Sequence, residues 1–222
     1  MLFDTFQGDI CSRIINILND SRQVLNKQGA MVKNKKSADT RLRIFRACSE
    51  ILRREGLSNL TLQSVAAEAG ISKGGLLYHF ETKQVLIEAL FEYHNGIFEK
   101  RLDELIAVEG DQPGAFLRAY ARASAEQMAD PENASLYASL FAAEEQYSGA
   151  HKLMREKYIN WQKQIEDCGI DLDWAMLLRF ATDGLWFSEM HGYAPPDPAQ
   201  RRKIVELIVE LVSWKEKPLD LP

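Results

Sequence analysis

The stretch "GISKGGLLYHF", residues 70–80, gathers groups suited to meeting a polyanion. It holds the ammonium of Lys73, the phenol of Tyr78 and the imidazole of His79, with Lys83 three residues beyond. Gly74 and Gly75 sit among them, where the pattern otherwise reads as a starting helix. Glycine costs about 1 kcal/mol per position relative to alanine inside a helix, so this pair opposes the structure its neighbours favour. Absent side chains let a backbone approach an outside surface closely. A phosphate, a base edge or a thymine methyl of DNA is such a surface, and free amides at a helix start also favour phosphate. Read singly, Lys73 and Lys83 are ordinary surface lysines and Tyr78 and His79 half-buried helix residues. What raises a role on DNA is the arrangement of helices around them.

Other chemistry finds little footing. His94, His151 and His191 lack metal-ligand spacing, and Cys11, Cys48 and Cys168 are odd in number with no CxxC. Neither a zinc site nor a disulfide framework is indicated, and the cysteines read as buried apolar residues. There is no nucleophile elbow and no phosphate loop. Glu144 and Glu145 are adjacent and cannot share a helix face. The chain therefore reads as no enzyme, with no catalytic residue, metal or cofactor expected. No run of eighteen uncharged apolar residues exists, so no membrane span is expected. Asp4, Asp9 and Asp20 break up any signal-peptide core, which makes the cytoplasm the expected compartment.

Net charge is −5, yet it is unevenly spread. Met31 to Lys83 carries ten Lys and Arg against five Asp and Glu, whereas Gln84 onward carries fourteen against twenty-four. A basic segment joined to an acidic remainder implies one part that meets polyanions and another that does not.

Stepping outward to what must hold these residues, apolar positions recur at threes and fours almost throughout, predicting about ten helices and no sheet. Leu42, Phe45, Ala47, Cys48, Ile51 and Leu52 form one stripe that Gly56 ends. Thr61 can cap a short helix, Gly70 ends it, and Ser72 caps the next, whose Leu76 and Phe80 face a core. A long helix is predicted over 82–107, with Val85, Leu86, Ala89, Leu90, Tyr93, Ile97, Leu102 and Leu105 as its apolar set. Further helices are predicted near 114–129, 132–146, 150–168, 174–191 and 199–214. The first thirty residues have amphipathic spacing through Ile10, Ile14, Ile17 and Leu18. They read either as an extra helix or as translated sequence upstream of a start at Met31.

Two short helices joined by a tight glycine turn, with an amphipathic helix ahead of them, match a helix-turn-helix, whose second helix enters the major groove. Residues 40–86, "TRLRIFRACSEILRREGLSNLTLQSVAAEAGISKGGLLYHFETKQVL", resemble the DNA-binding domain of the TetR family of bacterial transcriptional regulators. The resemblance covers about a quarter of the chain and runs through "TLQSVAAEAGIS", "SKGGLLYHF" and the "TK" that follows. It implies that Thr61 caps the second helix and touches a phosphate, while Gln63 reaches a base. Ser72, Lys73, Gly74 and Gly75 form the reading end, with Lys73 and Gly75 at positions that usually read bases. Tyr78 and His79 contact phosphate or base edges, and Lys83 holds the backbone. Leu77 departs from the family, which commonly has an aromatic there: either Tyr78 takes over a phosphate contact or Leu77 packs on a thymine methyl. Arg41 and Arg43, behind Lys33, Lys35 and Lys36, form a basic lead-in that can serve phosphate or simply be a soluble tail.

The fold implied is all-α, an N-terminal three-helix helix-turn-helix domain followed by a helical ligand-binding and dimerisation domain. The expected division is an extension over 1–37, the DNA-binding domain over 38–98, and the second domain over 99–222. By resemblance the last two helices pair with their copies in a homodimer, and Trp174, Leu178, Leu185, Ile204, Ile208 and Leu211 are the expected interface residues. Two reading helices one DNA turn apart, roughly 34 Å, would select a palindromic operator. Tyr120, Met128, Tyr137, Phe141, Trp161, Phe180, Trp186 and Phe187 supply surface suited to a small apolar effector, unless they are simply core. The implied mechanism is repression relieved when ligand shifts the population toward a state in which the long helix swings and respaces the reading heads. A ligand-dependent activator, or a helical interaction module without DNA binding, are the alternatives.

Overall fold

Every helix whose cap was legible in the sequence starts where its capping side chain predicts. The computed structural model describes residues 35–214. The proposed helix of the first thirty residues, the start at Met31 and Cys11 lie outside the described residues. α1 (35–55) buries Ile44, Phe45, Ala47, Cys48, Ile51 and Leu52, and a 3-10 turn at Leu57–Asn59 follows. A division of the chain into two units falls inside α1, after Ile44, so the first unit contributes only residues 35–44 to the description. In α2 (Leu62–Glu68) the Thr61 hydroxyl accepts from the Ser64 amide at 3.0 Å and the Ser64 hydroxyl accepts from the Thr61 amide at 2.9 Å. This reciprocal box satisfies two backbone donors. Gly70, at φ +63°, makes the turn that only glycine enters without strain. Ser72 then caps α3 (Lys73–His79), and Thr82 caps α4 (Lys83–Glu109) through the Val85 amide at 3.1 Å.

The remaining helices are α5 (Ala115–Gln127), α6 (Pro131–Gln146), α7 (Ser148–Glu166), α8 (Leu172–His191) and α9 (Pro198–Val212). Among the described residues there are thus nine α-helices and no strand. α5 is the axis of the larger part, and residues 114–121 are all buried. Its alanines let α4, α8 and α9 come close, and the core joins Phe98 and Leu102 to Phe116, Leu117, Trp161, Ile165, Leu178 and Ile208. Gly114, ahead of α5, has φ +75°, and a β-carbon there would collide with Val212. Arg118 is buried within α5 yet fully engaged, its Nε donating to Glu109 at 2.6 Å and a terminal nitrogen to the Pro113 carbonyl at 2.9 Å. A buried charge is tolerable only when paired and hydrogen-bonded in this way.

Two of the expected α4 core residues point outward. Val85 and Ile97 are exposed, and the buried stripe runs instead through Ile87, Phe91, Asn95, Phe98 and Leu102. α4 runs unbroken through the expected domain boundary at 98/99, so one helix belongs to both parts. Leu178 and Ile208 require correction as interface residues. At 3% and 4% exposure they lie in the chain's own core, because α8 and α9 pack those faces against α5. Trp174, Leu185, Ile204 and Leu211 are half-buried, and the Trp174 indole donates to the Leu211 carbonyl at 3.0 Å, tying α8 to α9. No helix among the described residues is long and apolar enough to cross a membrane.

Candidate nucleic-acid interface and ligand cavity

α3 is held by its inner face and offers its outer one. Leu76 and Phe80 are fully buried, whereas Ser72, Lys73, Gly74 and Tyr78 are exposed and Gly75 and His79 half-exposed. Tyr78 is 76% exposed, and its ring meets that of His79 edge-on at 5.3 Å. A β-carbon added at Gly74 would meet nothing within 4 Å, and its φ is not in the left-handed region. Nothing inside the protein therefore asks for glycine there. Gly75 differs: its added β-carbon would lie 3.2 Å from the Ser72 hydroxyl, which accepts the Gly75 amide at 3.0 Å. That amide is consequently not open to phosphate, a correction to the picture of free amides at this helix end.

Thr61 and Gln63 are exposed on the neighbouring α2, and Leu77 is about one third exposed. Lys83 is half-buried at the first position of α4, where a cation gains nothing from the helix dipole. Arg41, Arg43 and Arg46 are exposed on α1. Further along α1, Arg54 pairs with Glu55 and Glu68, and Arg53 with Glu50. On α3 itself, exposed Lys73, the open notch at Gly74 and exposed Tyr78 give an outward face of the kind that meets a phosphate backbone.

A second site lies among the five helices from α4 to α8. α4 contributes Phe91, His94, Asn95 and Phe98, α5 Tyr120 and Gln127, α6 Tyr137, Phe141 and Glu144, α7 Met154, Tyr158 and Trp161, and α8 Asp183 and Trp186. The cavity is narrow, about 70 Å³, and opens on one side. That is room for a handful of waters. Of the eight residues expected from sequence, Tyr120, Tyr137, Phe141, Trp161 and Trp186 line the cavity. Phe180 and Phe187 are exposed and line an outer depression that shares Glu144, Tyr158 and Asp183 with it. Met128 is buried and lines neither; its carbonyl accepts from Arg201 instead.

The polar groups of the cavity went unforeseen. The Tyr120 hydroxyl donates to Asp183 at 2.7 Å, and Arg179 donates to the other carboxylate oxygen at 3.2 Å. Burial pushes the Asp183 carboxyl above its usual range, while Tyr120 and Arg179 pull against that. Burial raises the Tyr137 and Tyr158 phenols to about 12, and it lowers His94 to about 4, with Arg53 adding to the effect. His94 is therefore neutral at pH 7, and its Nε2 lies 2.9 Å from the Ser49 hydroxyl of α1. The acidic side chains on the cavity wall are Glu144 and Asp183, with no Lys or Arg among the lining residues. Asp183 had one visible signal, a lone acid within the apolar run "WAMLLRFATDGLWF".

The family model of tetR-family bacterial regulatory proteins matches residues 44–90, and that of the tetracycline-repressor-like C-terminal domain matches residues 114–213. The chain belongs to the TetR family of transcriptional regulators. It is a DNA-binding regulator, with its helix-turn-helix in α1–α3. Over 63 residues, 28% of this chain, it is 31% identical to the uncharacterised HTH-type transcriptional regulator YerO of Bacillus subtilis (strain 168). That match spans 22% of YerO, about a fifth of its length. Among solved structures it resembles a TetR-family member of Streptomyces coelicolor A3, at 22% identity and TM-score 0.60 over 79% of this chain and 99% of that one. The multidrug binding protein EbrR complexed with ethidium is similar to the same degree, with 22% identity and TM-score 0.60 over 79% and 99% of the two chains. At such identities the TetR-like fold is what is shared.

Proposed function

We propose that this TetR-family regulator is a repressor that binds a palindromic operator as a homodimer and leaves it when a small, largely apolar ligand fills the cavity. The observation that carries the reading is α4: it begins at Lys83 beside the reading helix and, two turns on, forms a cavity wall with Phe91, His94 and Phe98. A ligand that prefers a different spacing of that wall changes where the reading head sits, and only such differential binding can shift the equilibrium. The DNA-contacting set is Arg41, Thr61, Gln63, Ser72, Lys73, Gly74, Gly75, Tyr78, His79 and Lys83. The reading head is assigned to 38–98, the end of which also supplies the cavity wall of α4, and the rest of ligand binding and dimerisation to residues from 99 onward, in a cytoplasmic protein.

Aromatic walls with two carboxylates and no lining Lys or Arg favour a planar, lipophilic cation. The complexes of EbrR with ethidium and with malachite green are in keeping with that class. For the dimer, α8 carries an exposed stripe of Leu177, Phe180, Ala181, Gly184 and Phe187 at helical spacing, supported by Leu207 of α9 and by Trp214. An apolar stripe of this kind fits an isologous contact between two copies.

The test is release. A duplex from the region upstream of the chain's own gene is bound by the purified protein, and ethidium is titrated in, with Asp183→Asn alongside. Selective binding that ethidium weakens, with about tenfold more ethidium needed by the variant, supports the reading. Binding no tighter than to random duplex would refute it and favour the interaction-module alternative, while ethidium-enhanced binding would favour an activator.

A further inference from the structure

α6 has two working faces. Toward the cavity it presents Tyr137, Leu140, Phe141 and Glu144. Toward the end of α1 it presents hydroxyls: Ser135 donates to the Arg53 carbonyl at 2.9 Å and Ser139 to the Leu52 carbonyl at 3.2 Å. The Asn133 side-chain oxygen also accepts from Arg53, at 3.4 Å. The last four carbonyls of any helix have no partner within it. At the end of α1 the Arg53 carbonyl is taken by Ser135, and the Leu52 carbonyl, which also accepts the Gly56 amide, is reached by Ser139, both from α6 and more than eighty residues away in sequence. Ser135, Ala138, Ser139 and Ala142 further line a crevice against Leu57, Ser58 and Lys83, so these four small residues of α6 look toward the helix-turn-helix.

The cavity on the other side of α6 is narrow, about 70 Å³, and opens on one side. A ligand with several rings cannot enter without moving a wall. A packed wall moves as a unit rather than deforming.

We infer that Ser135 and Ser139 couple the cavity to the reading head: a ligand that displaces the Tyr137 and Phe141 face of α6 shifts the hydroxyls that hold the end of α1. This rests on the ligand-release reading above and supplies a route besides α4. The two routes are separable because the tie through α4, His94 to Ser49, uses different residues. Coupling is reciprocal, so DNA on the reading head must also be felt at α6.

The experiment uses the full chain, Ser135→Ala/Ser139→Ala, each single variant, and Ser135→Thr/Ser139→Thr, which keeps both hydroxyls. Ser135 is exposed and Ser139 half-buried, so the single variants are expected to fold even if the double alanine variant does not. Ethidium affinity of the free protein should stay within about twofold of wild type, because neither serine lines the cavity. The factor by which saturating ethidium weakens DNA binding should fall at least about tenfold in the double alanine variant and partly return in the threonine variant. A purely structural role would change both affinities and leave their ratio alone. The second arm needs no ligand: hydrogen exchange at the α6 amides is compared with and without the upstream duplex. DNA should slow exchange in wild type and not in the alanine variant. An undiminished ethidium effect in the alanine variants, or α6 exchange in wild type that ignores DNA, overturns the inference. Failure of ethidium to release even wild type would count against the ligand reading, leaving the exchange arm to decide the coupling by itself.

Discussion

At Gly74 stability and function should pull in opposite directions. An added β-carbon there touches nothing, and the backbone is ordinary helix, so alanine is compatible with the fold. Gly74→Ala should leave the protein as stable or more so, by up to about 1 kcal/mol, mainly by restricting the unfolded chain. Its affinity for operator should nevertheless drop, because the methyl group occupies space that the DNA would use. Thermal unfolding and duplex titration of the same preparation check both signs. A variant both more stable and equally tight would mean that the glycine has no DNA role. This residue was legible from sequence because glycine at a helix start is an unfavourable local choice that needs an outside cause. Asp183 was not: a single acid in an apolar run says nothing about whether Tyr120 and Arg179, 63 and 4 residues away, will meet it.

Helix ends were readable because caps are local. Thr61, Ser72 and Thr82 each take an amide three residues on, and no distant contact is needed for that. Which face of α8 turns inward was not readable, since the helix is apolar on most sides and only its neighbours decide. Leu178 went to the core and Leu177 to the surface. The same ambiguity moved Met128 out of the ligand set, while Phe180 and Phe187 moved to the cavity's outer edge. At the centre of the exposed α8 stripe, Gly184 has nothing within 4 Å of an added β-carbon, again a mid-helix glycine with no internal cause. Close approach of a second helix would supply one. Gly184→Leu should therefore shift the protein toward monomer without unfolding it, read by sedimentation together with circular dichroism. A variant that remains dimeric at the same concentration would move the interface off this stripe.

Charge is divided along the chain between a basic stretch and an acidic one. Residues 31–83 carry a net +5 and the remainder from 84 a net −10, so the acidic part discourages DNA from lying along it. Affinity should then come from few phosphate contacts, and the salt dependence counts them. On duplex DNA the logarithm of the binding constant falls with the logarithm of salt with a slope of about −0.9 per phosphate neutralised. Lys83 is half-buried at the start of α4 and is proposed as a backbone contact, whereas Lys73 is exposed at the start of α3 and is proposed to read a base. In a dimer, Lys83→Ala removes two phosphate contacts and should make the slope less negative by about 2, weakening specific and random duplexes alike. Lys73→Ala should instead cost most on the operator and relax preference at one position of each half-site, with a smaller change of slope. Titrations at several salt concentrations, on operator and random duplex, separate the two roles. If both variants change the slope equally and leave the operator-to-random ratio intact, Lys73 is a phosphate contact too, and base reading falls to Gln63, Gly75 and the aromatic pair at the end of α3.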